Sequence, residues 1–126
     1  MRIKTLLKDN SLYISIAITI LITLLSLIKT HPKPIVDISN LDKVQHTFAY
    51  MVLTISWLVS RDVKFNTIPY SVILIACLLF GIIIEVLQGR LTTYRSASLL
   101  DVVANSLGIA IGFMIFKTFK GKKADI

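Results

Sequence analysis

Four long apolar segments dominate the sequence and determine the class of protein that it can form. They cover approximately residues 12–28, 44–60, 68–88 and 99–119. Each is close to the roughly 20 mostly apolar residues that a helix needs to cross a membrane. A helix also satisfies its own backbone hydrogen-bonding groups in lipid. We therefore predict an all-α membrane protein, a compact bundle of four transmembrane helices that forms a single domain over residues 1–126.

The composition supports this class and excludes others. The chain is 55% hydrophobic and only 17% charged, whereas a soluble domain is about 25% charged. Disorder requires low hydrophobicity and is excluded as well. The net charge of +7 does not predict a nucleic-acid partner, because no basic stripe with interleaved aromatic residues lies outside the apolar segments. The single cysteine, Cys77, excludes an internal disulfide.

The distribution of lysine and arginine predicts the orientation. With the N-terminus in the cytoplasm, five of the 14 basic residues lie outside and the others lie inside, which is the usual bias. The five are Lys29, Lys33, Lys43, Arg90 and Arg95. We therefore predict a multi-pass protein of the cytoplasmic membrane with both termini in the cytoplasm. The first segment is longer than a usual signal-peptide core, and no cleavage site follows it, so we interpret it as an uncleaved span.

Polar or small residues form a stripe on each of the last three predicted helices, with spacings that keep each stripe on one helix face. The stripes consist of Asp42, His46 and Tyr50; of Gly81, Glu85 and Gln88; and of Asp101, Asn105, Gly108 and Gly112. In the predicted topology their polar ends all lie at the outer face. Because lipid penalises charge, these stripes should face the bundle interior. We expect one outer polar cavity and no comparable set at the inner end.

This residue set suggests two kinds of chemistry. His46, Glu85 and Asp101 are candidate catalytic residues, because acid–base work needs an imidazole or a carboxyl group with a tuned pKa. Lys43 and Arg95 are candidate contacts for an anion. Carboxylates also suit a hard divalent cation, but no metal-ligand spacing marks such a site, so we predict neither a metal nor a cofactor. A channel is not expected, because the polar residues do not continue across the membrane.

Simpler interpretations of the same residues stay open. Asp42 fits a helix N-cap, and Asp101 fits an acid that complements the helix dipole. Glu85 and His46 lie close enough to helix ends to be solvated at the interface. Gly108 and Gly112, the remaining pair, form a small-residue packing face. That face serves either a contact within the chain or a homo-oligomer.

Three motif blocks resemble, in the same order, those of the VanZ-like family of bacterial membrane proteins, the teicoplanin resistance protein family. The blocks are Asp42-Lys43-x-x-His46-x-x-Ala49-Tyr50; Gly81-x-x-x-Glu85-x-x-Gln88; and Arg95-Ser96-x-Ser98-x-x-Asp101-Val102-x-Ala104-Asn105-x-x-Gly108-x-x-x-Gly112. The founding member of the family is associated with low-level resistance to the glycopeptide teicoplanin. The resemblance therefore implies a cell-envelope protein that influences teicoplanin susceptibility. It also implies functional roles for the charged and amide residues of the blocks.

Three functional hypotheses follow. In the first, the outer site binds a lipid-linked or anionic envelope component through ligand-binding residues at six positions. These are Asp42, Lys43, Tyr50, Gln88, Arg95 and Asn105. In the second, the protein is an enzyme that uses His46, Glu85 and Asp101 as acid and base on an envelope lipid. In the third, the polar network only stabilises the bundle. Under each hypothesis the expected partner is the lipid bilayer, and no nucleic-acid partner is expected.

Overall fold

A computed structural model of the protein describes the backbone of residues 9–27, 39–91 and 99–124, and the side chains of 9–27, 43–88 and 99–121. Within these ranges there are four α-helices and no strand. They are α1 (Ser11–Leu27), α2 (Ser39–Lys64), α3 (Tyr70–Leu91) and α4 (Leu99–Ala124). The prediction of an all-α fold is confirmed.

Helix α2 differs most from its predicted bounds, because it extends beyond residues 44–60 at both ends. An apolar segment marks only the part of a helix that is suited to lipid, and the helix continues through polar residues on either side. Arg61 and Lys64 lie in the last turn, where their charge complements the helix dipole. A short connection over residues 65–69 leads to α3, and the carbonyl of Pro69 accepts a 3.1 Å bond from the backbone N–H of Val72 in its first turn.

Consecutive helices run antiparallel. Ser15 near the start of α1 shares a 2.7 Å hydrogen bond with Ser60 near the end of α2. Further along the same pair, the indole N–H of Trp57 donates to the hydroxyl of Thr19 at 2.9 Å. The up-down-up-down order places the start of α1 and the end of α4 at one end of the bundle. The end of α3 and the starts of α2 and α4 lie together at the other end, as the stripes predict.

Helix α2 is the centre of the bundle. Both α2 and α3 pack against each of the other three helices, but the contacts of α2 are the more extensive, and α1 and α4 do not contact each other in the described residues. All four helices contribute to the buried core, which includes Ile22, Tyr50, Leu53, Cys77 and Ile109. The polar residues at its two ends, outside residues 44–60, make α2 the least uniformly apolar of the four helices.

The glycine stripe of α4 packs directly on the backbone of α2, and these two helices run parallel. A Cβ at Gly108 would overlap the carbonyl oxygen of Thr47, and one at Gly112 would lie 2.8 Å from that of Met51. The hydroxyl of Thr47 also donates to the carbonyl of Ala104 at 3.2 Å. Of the two uses open to this small-residue face, the structure shows the contact within the chain.

Two segments, Tyr70–Gln88 and Leu99–Gly121, are long and apolar enough to cross a membrane, with mean hydropathies of 2.6 and 2.0. Ser11–Leu27 is apolar but shorter. Large apolar side chains are exposed on the outer faces of the helices, which suits a lipid surrounding. An apolar groove of about 400 Å³ lies between α3 and α4 and is lined in part by Leu78 and Phe113. These features support a membrane protein.

Candidate functional site

The predicted polar site forms at the end of the bundle where α2 and α4 begin and α3 ends. One ring nitrogen of His46 and one carboxylate oxygen each of Glu85 and Asp101 all lie within 4.8 Å of one another. Glu85 and Asp101 are buried, and His46 is half-buried. Three helices therefore place an imidazole and two carboxyl groups in mutual reach, as their stripes predict.

Asn105 fixes the orientation of the imidazole. Its Oδ1 lies 3.1 Å from Nδ1 of His46. Because an amide oxygen only accepts, Nδ1–H is the donor. The amide nitrogen of Asn105 lies on the other side, only 3.2 Å from where a Cβ at Gly81 would be. Glycine at that position therefore gives the Asn105 side chain the room that it needs.

Lys43 forms an ion pair with Asp101 across α2 and α4. The carboxylate side chain is only 11% exposed and that of the lysine is 32% exposed. The ammonium therefore lies at the rim of the site, where it compensates a charge that is nearly buried. This pair is an electrostatic link between the two helices at this end.

Tyr50 and Gln88 lie next to this site. Tyr50 is one helix turn after His46 on α2, and Gln88 is one turn after Glu85 on α3. The ring of Tyr50 is buried, packs against Phe80 with centroids 6.1 Å apart, and lies 3.1 Å from where a Cβ at Gly81 would be. The side-chain amide of Gln88 donates to the carbonyl of Ser26 at 2.9 Å. The last carbonyls of a helix lack partners within it, so this bond ties α3 to the end of α1.

A family model described as VanZ/LLP1 matches residues 4–120, nearly the whole chain. The chain belongs to the VanZ/LLP1 family. The resemblance that rests on the three motif blocks is thereby confirmed. No curated protein and no solved structure matches the chain.

The side chains of Asp42 and Arg95, two predicted site residues of this VanZ/LLP1 protein, lie outside the described residues. The side chain of Arg90 lies outside them as well. The described residues of the motif blocks nevertheless converge. Each block contributes one of the three acid–base candidates, His46, Glu85 or Asp101.

A second polar cluster lies at the opposite end of the VanZ/LLP1 bundle. Asp62 accepts hydrogen bonds from Arg61 at 2.7 Å and from the hydroxyl of Tyr70 at 3.0 Å, and Lys120 lies 3.1 Å from its other oxygen. The Arg61 guanidinium also stacks 4.3 Å over the Tyr70 ring, and it donates to the carbonyl of Ile68 in the connection. The expectation that this end carries no comparable set is wrong. In the sequence, each of these residues by itself indicates only the end of a helix. The one signal that could have revealed the cluster is the Arg61-Asp62 pair, which is separated from Tyr70 only by a short connection.

This cluster predicts an acid-dependent loss of stability. Partial burial raises the pKa of the Asp62 carboxyl, but hydrogen bonds from Arg61, Lys120 and Tyr70 and the charge of Lys120 together lower that pKa below its ordinary 3.8. A carboxyl whose pKa is lower in the folded state stabilises the protein above its unfolded pKa, and this contribution is lost as the pH falls through the folded pKa, below about pH 4. We expect the melting temperature of the wild type in detergent to fall more between pH 6 and pH 3 than that of Asp62→Asn. Equal slopes would contradict the role given to Asp62.

Proposed function

We propose that this VanZ/LLP1 protein spans the bacterial cytoplasmic membrane four times, with both termini in the cytoplasm. Its outer polar site, in this proposal, binds the head group of a lipid-linked or anionic envelope component and so influences glycopeptide susceptibility. The antiparallel order supports the topology, since it brings the start of α1 and the end of α4 to the same end. The two long apolar helices support membrane insertion.

The observation that carries the proposal is the concentration of polar groups at one end of an apolar bundle. Glu85, Asp101 and Asn105 are buried there, and the half-buried His46 and Lys43 stand at the rim. Ionisable groups inside a membrane protein are costly and indicate function by default. A rim ammonium that donates hydrogen bonds, above a buried network that holds it, suits the recognition of a polar head group next to the membrane surface.

One observation favours a second candidate, an enzyme acting on an envelope lipid. The Asn105 contact sets the tautomer of His46, and two carboxylates lie within 4.8 Å of its ring. A positioned imidazole with carboxylates beside it is a common arrangement for proton transfer. Under this candidate, Glu85→Gln removes turnover of a lipid substrate and leaves its binding intact, whereas the binding proposal expects no turnover in the wild type.

The binding proposal is tested with a polyprenyl phosphate as the anionic probe and phosphatidylcholine as the neutral one. Purified protein in detergent is titrated with each, and binding is measured by native mass spectrometry. We expect preference for the phosphate. Lys43→Gln and Arg95→Ala should each weaken its binding by about tenfold or more, which is the effect of losing one charge-assisted hydrogen bond.

Lys117→Gln is the matched control, because it removes the same charge from an exposed position at the other end of α4. It should bind the phosphate as the wild type does. Equal binding by the wild type, Lys43→Gln and Arg95→Ala would overturn the head-group proposal and leave the network with a stabilising role.

A further inference from the structure

The charge balance of the site raises the question of which cation it accommodates. Two buried carboxylates and the imidazole of His46 direct electron-pair donors toward one another within 4.8 Å. Glu85 is only 3% exposed and Asp101 only 8%. Placing such donors together away from water is costly unless a positive charge lies among them. A proton, an ammonium group or a metal ion can supply it.

The imidazole has the support that metal-binding histidines have. A ligating histidine almost always donates its other ring N–H to a carboxylate or carbonyl oxygen, which fixes the ring and its tautomer. Here Nδ1–H of His46 donates to Asn105 Oδ1 at 3.1 Å, and Asn105 is itself 2% exposed and therefore firmly held. In this orientation, a metal ion would bind His46 through Nε2. The contact between His46 and Asn105 does not involve the two carboxylates. It is therefore a separate observation that points to a metal ion.

We infer that His46, Glu85 and Asp101 form a binding site for a divalent transition-metal ion. One imidazole nitrogen and two carboxylate oxygens suit Zn²⁺ or Mn²⁺. Zinc bonds of about 2.0–2.2 Å place neighbouring ligand atoms roughly 3.5 Å apart, so the side chains must close by about an ångström. Three protein ligands leave a further coordination position for water or a ligand.

Lys43 is the built-in competitor for this ion. Its ammonium contacts the Asp101 carboxylate, so a metal that binds this oxygen meets an adjacent positive charge. With its side chain 32% exposed, Lys43 can move outward when the metal enters. The inference therefore predicts a specific sign, because removing the Lys43 charge should tighten metal binding.

The metal site is inferred without reference to the lipid. One consequence does rest on the proposed function: a bound divalent ion neutralises the carboxylates and gives an anionic head group a direct contact. Anion binding at an acidic site then depends on the metal.

The test uses metal ions alone. Full-length protein in detergent is stripped with a chelator and titrated with Zn²⁺ by calorimetry and with Mn²⁺ by electron paramagnetic resonance. We expect one ion per chain, at least tenfold weaker binding in His46→Gln and Glu85→Gln, tighter binding in Lys43→Gln, and no change in Asp62→Asn. Asp62 is a matched control because it is a carboxylate in a polar cluster at the other end of the bundle.

A measurement on the wild type keeps the inference testable if the site variants do not fold. Pulsed resonance of bound Mn²⁺ should show the coupling of one imidazole nitrogen. The absence of binding up to about 1 mM metal, or binding without nitrogen coupling, would overturn the inference. If the polyprenyl phosphate binds equally well with the chelator present, lipid binding does not depend on the metal, and the head-group proposal stands without that dependence. If the metal binds and the lipid does not, the metal site stands and the head-group proposal fails.

Discussion

Gly108→Ala is expected to destabilise the protein strongly. The added methyl group overlaps the carbonyl oxygen of Thr47 and lies 3.1 Å from the backbone nitrogen of Met51. Backbone atoms in the middle of a helix cannot rotate away, so α2 and α4 must separate. Overpacking of a well-packed interior costs about 1–3 kcal/mol and sometimes more, and we place this variant at about 3 kcal/mol. Thermal unfolding in detergent, followed by circular dichroism, measures the loss.

Two further glycines of α4 make the comparison a graded one. At Gly112 the nearest atom to an added Cβ is the Met51 carbonyl oxygen at 2.8 Å, and at Gly121 there is nothing within 4 Å. Gly112→Ala should therefore lose less than Gly108→Ala. Gly121→Ala should not lower the stability. It should raise the stability by up to about 1 kcal/mol, because alanine has a higher helix propensity than glycine. Equal losses at Gly108 and Gly121 would show that α2 and α4 do not pack as described.

The second large effect is expected at the Lys43–Asp101 pair, where the two single variants should differ. Lys43→Met leaves a carboxylate that is 11% exposed without its ammonium partner. Uncompensated buried charge is strongly destabilising, and we expect a loss of about 2–3 kcal/mol. Asp101→Asn leaves a lysine that is 32% exposed and long enough to reach water, so its loss should be about 1 kcal/mol.

The double variant, Lys43→Met with Asp101→Asn, provides the decisive comparison. Because it removes both charges, it should be more stable than Lys43→Met alone, and the coupling in a double-mutant cycle should be about 1–2 kcal/mol. Melting temperatures are measured with a chelator present, so that a bound metal does not compensate Asp101. Additive losses would mean that the two side chains act independently.

The convergence of the site could be predicted from the sequence because it depends on local geometry. Spacings of three, four and seven residues place His46, Glu85 and Asp101 on the inward faces of their helices. Short connections make consecutive helices antiparallel, which brings these three faces to the same end. Hydropathy is also a local property, and it locates the apolar part of each helix. It makes α2 too short at both ends, because polar residues continue the helix beyond its apolar part.

The rest of the site depends on which helices become neighbours, and hydropathy does not encode this. The glycine stripe of α4 needs a partner, but Thr47 and Met51 carry no signature that identifies α2 as that partner. The stripes predict that His46, Glu85 and Asp101 converge, but they do not predict the distances among them, because each residue comes from a different helix. Asp62 and Tyr70 were missed for a similar reason, since their contacts form only after α2, α3 and α4 meet.

Gly108 and Gly112 bring the backbones of α2 and α4 into direct contact, so we expect these two helices to move together. His46, Asp101 and Asn105 lie on these two helices, whereas Glu85 lies on α3. The groove of about 400 Å³ beside α3 shows that its contact with α4 is looser than the backbone contact between α2 and α4. We therefore expect a change in the width of the site to involve a tilt of α3 relative to the other two helices. A ligand that widens or narrows the site would then act on α3 against the α2–α4 pair.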